Sequence, residues 1–384
     1  MNILFIAGDA DYSGATLSMI ALIILLKKDG VNCCVILPYR GKIEVELNTN
    51  GIEYDVVQSN RWIRSANERQ TFGVLFKRAK LRIKNIQAIH HIKKYIREQH
   101  IDLVHVNTLA PYVGAVAALS LKCPYIWHIR EFGEEDHGQT IWNKTSGYKL
   151  IEKANCVLTI SRSLQGKFSR ILQDANVRMI YNGLDIKRYL RSDRPIFRRN
   201  IVTITISGRI SEGKGQLELI KAADSLKDFF ECFRIQIVGT AGRNNYYDQV
   251  KKYIREHALD PYVKFCGFKR DMENVWANTD ICVVCSRAEA FGRVTVEAML
   301  AGCLVIGANT AGTAEIIENN STGLLYQQGN SDSLAEKLKY ALKNKVDMQR
   351  IADNGRKTAS LKFTAENNEQ EILALYHEIL DTNR

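Results

Sequence analysis

The sequence predicts an α/β protein built as two doubly wound parallel sheets in series. Short apolar, β-branched runs alternate with stretches of helical period along the whole chain, the pattern of strand–helix–strand units. The alternation stops once, across the arginine-rich and aperiodic residues 185–200, and then restarts. A length of 384 residues is large for one core and comfortable for two.

Taken in order, the first half offers strand-like runs at 2–7, 33–38, 54–57, 103–106, 125–129, 156–160 and 179–181. The second half restarts at 201–207 and continues with 235–238, 263–267, 281–285, 304–308 and 324–326. These runs are apolar with little alternation, as strands of a parallel sheet buried on both faces should be. Residues 365–376 form a strong helical stretch near the chain end. The expected division is a domain over 1–187, a linker over 188–200, a domain over 201–364 and a closing helix over 365–384 that crosses back to the first domain. In doubly wound domains the ligand crevice lies at the carboxyl ends of the strands. With those edges facing each other, substrate is expected in a central cleft.

Composition narrows the class. Apolar residues make up 46% and charged residues 25%, with five prolines and no low-complexity tract, as in a globular protein. The longest apolar run, 19–26, falls far short of the roughly 20 residues needed to span a bilayer. The chain opens Met1-Asn2-Ile3-Leu4-Phe5-Ile6-Ala7-Gly8-Asp9 without a basic start, so no secretory signal is expected and the location is expected to be cytoplasmic. Nine scattered cysteines include Cys33, Cys34, Cys156, Cys232, Cys282 and Cys285 in apolar settings; Cys282-Val283-Val284-Cys285 has no second pair at zinc-ribbon spacing. Reduced core thiols are expected.

The net charge of +11 is concentrated. Between Arg61 and Arg97 stand eleven Lys or Arg against one acid, Glu68. Phe72, Phe76, Ala79, Ile83 and Ile86 recur there at helical spacing, so the segment suits a helix lying on an anionic membrane. Interleaved base-stacking aromatics are absent, and no nucleic-acid partner is expected.

Two clusters carry the chemistry. The first, Gly208-Arg209-Ile210-Ser211-Glu212-Gly213-Lys214-Gly215, follows a strand. It nearly matches a P-loop, but Gly215 stands where the magnesium-binding hydroxyl belongs. As a phosphate clamp it is better suited: Arg209 offers a planar fork, Lys214 a point charge, and the glycines let backbone N–H groups approach. In the second cluster, Glu289 and Glu297 bracket Phe291-Gly292-Arg293 at a strand-to-helix turn. A pyrophosphate suits that helix end, and two carboxylates can accept hydrogen bonds from sugar hydroxyls. Together the clusters point to a nucleotide-sugar. Asp9-Ala10-Asp11 matches an Asp-x-Asp metal motif in form, but it stands far in sequence from the phosphate cluster, where Arg209 and Lys214 already supply positive charge; no metal is expected.

With these clusters in place, the chain resembles the retaining GT-B glycosyltransferases of group 1 (family 4). The resemblance also rests on Tyr181-Asn182-Gly183-Leu184-Asp185, Ala301-Gly302-Cys303-Leu304-Val305-Ile306 and Thr322-Gly323-Leu324-Leu325, in the family's order. It implies a GT-B fold of two Rossmann-like domains. It further implies that Arg209 and Lys214 bind the donor diphosphate, Glu289 a hydroxyl of the transferred sugar, Glu297 the ribose, and Gly267-Phe268 the base. Phe291, Gly292 and Arg293 join the donor site. Ser13-Gly14 resembles the family's first glycine-rich loop, reduced to the single Gly14, near donor phosphate. His128, in Trp127-His128-Ile129-Arg130-Glu131, ends a strand where the family's histidine approaches the donor sugar; its expected role is to position sugar rather than to act as a general base. The catalytic positions are then His128 and Glu289.

The expected activity is retaining, metal-independent hexosyl transfer from a UDP-sugar, itself a co-substrate with no further cofactor, to a hydroxyl of a lipid-linked glycan. The setting is cell-surface polysaccharide assembly on the inner membrane face. A non-catalytic nucleotide-sugar binder and a related epimerase or phosphorylase are the alternatives. A glycosidase is not, because Glu289 and Glu297 lie on one element and cannot flank a scissile bond.

Overall fold

The computed structural model describes residues 1–69, 71–191, 194–227, 229–230, 232–242 and 245–382. The chain divides into two compact units, Met1–Gly183 with Ala365–Arg384, and Leu184–Thr364.

The strands of the first unit are β1 (Asn2–Ile6), β2 (Asn32–Leu37), β3 (Glu53–Val56), β4 (Ile63–Ser65), β5 (Leu103–Asn107), β6 (Tyr125–Ile129), β7 (Gln139–Ile141), β8 (Cys156–Thr159) and β9 (Val177–Met179). Seven of them form one parallel sheet, ordered β3-β2-β1-β5-β6-β8-β9. β4 and β7 make a separate antiparallel pair that the sequence reading did not anticipate, since each is three residues long and carries no apolar run. β9 ends at Met179, earlier than the expected run 179–181; Ile180 still donates its N–H to the Thr159 carbonyl at 3.0 Å, one step beyond the assigned strand. The core gathers Ile3, Phe5, Val35, Leu103 and Leu158, closed by Ile372, Leu375, Tyr376 and Ile379. The last four come from the final helix, Ala365–Thr382, which packs on the helix Gly14–Lys28.

The second unit contains β10 (Val202–Ser207), β11 (Phe233–Val238), β12 (Val263–Gly267), β13 (Ile281–Val284), β14 (Leu304–Ala308) and β15 (Leu324–Tyr326). All are parallel, in the order β12-β11-β10-β13-β14-β15. Residues read as a linker belong to this unit. Ile196 is buried in its core, the Arg194 guanidinium donates to the carbonyls of Thr279 and Ala301, and Ile186–Tyr189 forms a helical turn. The arginines and the lack of period suggested a linker, but the Arg194 side chain caps backbone carbonyls. Residues 192 and 193 of that stretch lie outside the described residues.

All nine cysteines are free thiols. Six are buried, as their apolar surroundings dictate, but Cys232 is exposed, contrary to the reading of its setting as core. Among the described residues no helix is long and apolar enough to cross a membrane. Of the basic segment, residues 72–97 lie in the 27-residue helix Phe72–Glu98, begun by the Thr71 side chain, which accepts from the Val74 N–H, whereas Arg61, Arg64 and Arg69 precede it and Arg64 lies on β4.

Candidate active site

Strand order places the second unit's site. The strand order reverses between β10 and β13, which pair in parallel through Ile204–Ile281 and Thr205–Cys282. Loops leaving the carboxyl ends of these two strands must therefore emerge side by side, at the switch point where doubly wound sheets bind ligands. They are the two clusters singled out by sequence. Lys214 donates to Glu289 Oε1 at 2.5 Å, and Ser286 Oγ donates to the same oxygen at 2.6 Å. The Arg287 N–H donates to the Gly213 carbonyl at 2.9 Å and ties the loops together. The side chains of Lys214 and Glu289 are 33% and 16% exposed, so the pair is partly open to incoming ligand.

Gly215 makes this approach possible. Its φ is +70°, and a Cβ there would sit 2.4 Å from the Cys285 carbonyl oxygen. The position where a P-loop carries its metal-binding hydroxyl is closed to any side chain, which removes the NTPase reading. Arg209 is exposed, and its side chain makes no hydrogen bond or ion pair among the described residues. Its backbone carbonyl is held by Gln216 Nε2 at 3.0 Å, so the base of the side chain is fixed while the guanidinium stays available.

Gly292, at φ 98°, turns the chain into the helix Arg293–Leu300, whose amino end carries the positive pole of the dipole. Glu297, in the second turn of that helix, is buried. Trp276 Nε1 donates to its Oε2 at 3.3 Å, and Arg293 approaches Oε1 at 3.5 Å. Burial raises its pKa, opposed by Arg293, by the Trp276 hydrogen bond and by Arg188. The two glutamates thus differ: Glu289 is ion-paired at a partly open loop, Glu297 is sunk among an indole and two guanidinium groups. Phe291 is 3% exposed and its ring meets Phe363 edge-on at 5.6 Å, so only its backbone is left to face a ligand. Gly267 ends the edge strand β12 and Phe268 follows it; Phe268 is 63% exposed, a large ring mostly open to solvent.

In the first unit the switch point lies between β1 and β5. Ser13 caps the helix Gly14–Lys28 and forms a reciprocal box with Thr16, with Gly14 as the first, exposed helical residue. The carboxylates of Asp9-Ala10-Asp11 are used locally. Asp9 accepts from the Asp11 N–H at 3.0 Å and from Ser13 Oγ at 3.3 Å, while Tyr39 Oη donates to Asp11 at 3.2 Å. Among the described residues, no three His, Cys, Asp or Glu side chains converge on a metal position.

His128 is fully buried on β6 within a polar cluster. His105 Nε2 lies 3.0 Å from His128 Nδ1, and Arg130 Nη2 donates to that same nitrogen at 3.2 Å. Arg130 is in turn held by Asn107 Oδ1 at 2.6 Å and Asn182 Oδ1 at 2.5 Å. Beyond His105 stands Tyr376, its hydroxyl 2.5 Å from His105 Nδ1. Burial lowers the pKa of both histidines well below the usual value, and the Arg130 charge adds to it. Sequence reasoning named His128 and missed its neighbours. A histidine inside the apolar run Leu103-Val104-His105-Val106 was the available signal.

The model of the family described as Glycosyl transferases group 1 matches residues 194–358, and that of Glycosyltransferase Family 4 matches residues 14–188. An uncharacterised glycosyltransferase of Methanocaldococcus jannaschii is 26% identical over 297 residues, covering 72% of this chain and 75% of the relative. The capsular polysaccharide biosynthesis glycosyltransferase CapM of Staphylococcus aureus is 23% identical over 333 residues, covering 80% and 82%. Among solved structures, Anabaena HepE in complex with UDP-glucose superposes with a TM-score of 0.81 at 26% identity, over 98% of this chain and 100% of that one.

Proposed function

This chain belongs to the GT-B glycosyltransferases of group 1, and from that premise we propose that it transfers a hexose from UDP to a hydroxyl of a glycan acceptor, with retention at the anomeric carbon and without a metal. The observation that carries this reading is the meeting of Lys214, Ser286 and Glu289 at the β10/β13 switch point, with the Arg209 fork, unpaired among the described residues, on the same loop as Lys214. As the bond from the anomeric carbon to the β-phosphate oxygen breaks, negative charge grows on the departing diphosphate. Arg209, Lys214 and the amino end of the helix Arg293–Leu300 are the groups that stabilise it, and charge that develops in the transition state is where such groups lower the barrier. Glu289 then accepts from a sugar hydroxyl, Glu297 from the ribose, Phe268 stacks on the base, and His128 positions the sugar. HepE, crystallised with UDP-glucose, supports UDP as the nucleotide.

Two substitutions test it. Lys214→Ala and Glu289→Ala, measured with donor in excess, are expected to lower kcat by two orders of magnitude or so, the scale of losing one transition-state contact. Near-normal turnover in both variants sinks the reading. The anomeric configuration of the product, read by NMR, decides retention, and turnover in excess chelator decides metal independence. Donor binding without UDP release, whatever acceptor is offered, returns the chain to the class of binders.

The acceptor side rests on a different surface. Phe72, Leu75, Phe76, Ile83 and Ile86 are all more than half exposed on the helix Phe72–Glu98, beside Lys77, Lys80, Arg82 and Lys84. An anionic bilayer matches both the apolar stripe and the charge, each cation near the surface contributing about 1 kcal/mol. The acceptor is accordingly a lipid-linked saccharide at the cytoplasmic membrane face, the setting of surface-polysaccharide assembly.

A further inference from the structure

The buried chain behind His128 assigns its proton. An arginine only donates, so the Arg130 Nη2–H pointing at His128 Nδ1 requires that nitrogen to be bare. His105 Nε2, 3.0 Å from the same nitrogen, must then carry a hydrogen and donate it. A neutral His105 with its proton on Nε2 has a bare Nδ1, which accepts from the Tyr376 hydroxyl at 2.5 Å. Asn107 and Asn182 pin the guanidinium, so the order Tyr376 to His105 to His128 runs in one direction only. The single proton left to His128 is on Nε2, a nitrogen that is buried and has no hydrogen-bond partner among the described residues. A buried donor left unpaired is costly, and it is satisfied once an oxygen acceptor arrives.

We propose that Tyr376, His105 and Arg130 are positioning residues that lock His128 in the Nε2–H tautomer, making it a fixed hydrogen-bond donor to a hydroxyl oxygen of the transferred sugar. The proposal rests on the reading of His128 as a sugar-positioning group and adds a direction to it: His128 gives a hydrogen bond and takes no proton. It also assigns the last helix of the chain, Ala365–Thr382, a part in the reaction through Tyr376.

Selective ¹⁵N-histidine NMR of the full chain reads the relay without substrate. The expected spectrum shows His128 and His105 each protonated at Nε2 and bare at Nδ1. A proton found on His128 Nδ1 overturns the relay. Kinetics supply the second arm. His105→Gln keeps an N–H where Nε2–H stood, His105→Met fills similar space without one, and Tyr376→Phe leaves His105 free to reverse. The Met and Phe variants are expected to lose on the order of tenfold in kcat with KM for donor little changed, about one neutral hydrogen bond, while Gln retains most of it. Equal loss in His105→Gln and His105→Met means packing alone and also overturns the relay. Lys214 and Glu289 test the donor grip separately, so the spectrum distinguishes failure of the relay from failure of the wider reading.

Discussion

His105 and His128 are both buried and both held neutral, and this carries a pH signature. Unfolding returns each to an ordinary value near 6.5, so below that pH the unfolded chain binds protons that the folded chain refuses. Stability from this pair is fully present above about pH 6.5 and falls as pH drops, by about 1.4 kcal/mol per pH unit for each histidine. Glu131 opposes it. Burial lifts its carboxyl to about 7, so between about 4.5 and 7 the folded state holds the extra proton and stability from Glu131 falls as pH rises. Two histidines against one glutamate leave a net loss toward acid. His105→Gln is expected to flatten the slope of unfolding free energy below pH 6.5 by about one proton, as urea titrations at stepped pH will show. Gly215→Ala is expected to cost about 1–3 kcal/mol and to weaken UDP binding, because a side chain cannot coexist with the Cys285 carbonyl at that left-handed position. Thermal midpoints with and without UDP check both effects. A glycine with such a duty is visible in sequence as part of Gly-Lys-Gly, whereas the Ser286 hydroxyl and the Tyr376 contact were not. Ser286 is an ordinary loop serine until β13 is placed beside β10, and Tyr376 meets His105 across 271 positions of chain.

At the scale of elements, the helix Phe72–Glu98 shows why a simple amphipathic pattern was hard to see. Arg78, Asn85, Ala88, Ile92 and Ile96 are buried on one side, and Phe72, Leu75, Phe76, Ile83 and Ile86 are exposed on another. At 3.6 residues per turn the exposed set spans roughly 100°, a second apolar stripe that blurs the first. Exposed side chains contribute little to folding, so Phe76→Ser with Ile83→Ser is expected to leave the thermal midpoint within about 2 °C and to reduce sedimentation with phosphatidylglycerol vesicles severalfold. Binding of the unaltered chain should weaken from 50 mM to 500 mM salt, and vesicles of phosphatidylcholine alone should hold it poorly. Equal binding to both lipids removes the electrostatic argument. The strands of both large sheets were legible because parallel strands buried on both faces are continuous apolar runs; the pair β4–β7 was not, because three residues pairing across 76 positions leave no local signal.

At the scale of the whole molecule, the two units are unequal in their dependence on distant sequence. Leu184–Thr364 is a continuous stretch holding its own six-stranded sheet and its own core from Ile196 to Ala352. The first unit takes its final helix from the far end of the chain, and Ile372, Leu375, Tyr376 and Ile379 are 0 to 6% exposed within its core. Deleting one buried Ile or Leu side chain costs about 2–5 kcal/mol, and losing four such positions exceeds much of the 5–15 kcal/mol that holds a typical domain folded. A fragment of residues 184–364 is therefore expected to unfold cooperatively and to retain UDP binding through Arg209 and Lys214. Residues 1–183 alone are expected to stay unfolded until a peptide of residues 365–384 is added. Circular dichroism and calorimetry of the three species decide the matter, and a cooperatively folded 1–183 fragment would show that the last helix is dispensable to its core. The same experiment bears on chemistry, because a first unit that folds only with its terminal helix always carries Tyr376 behind His105 when His128 is in place.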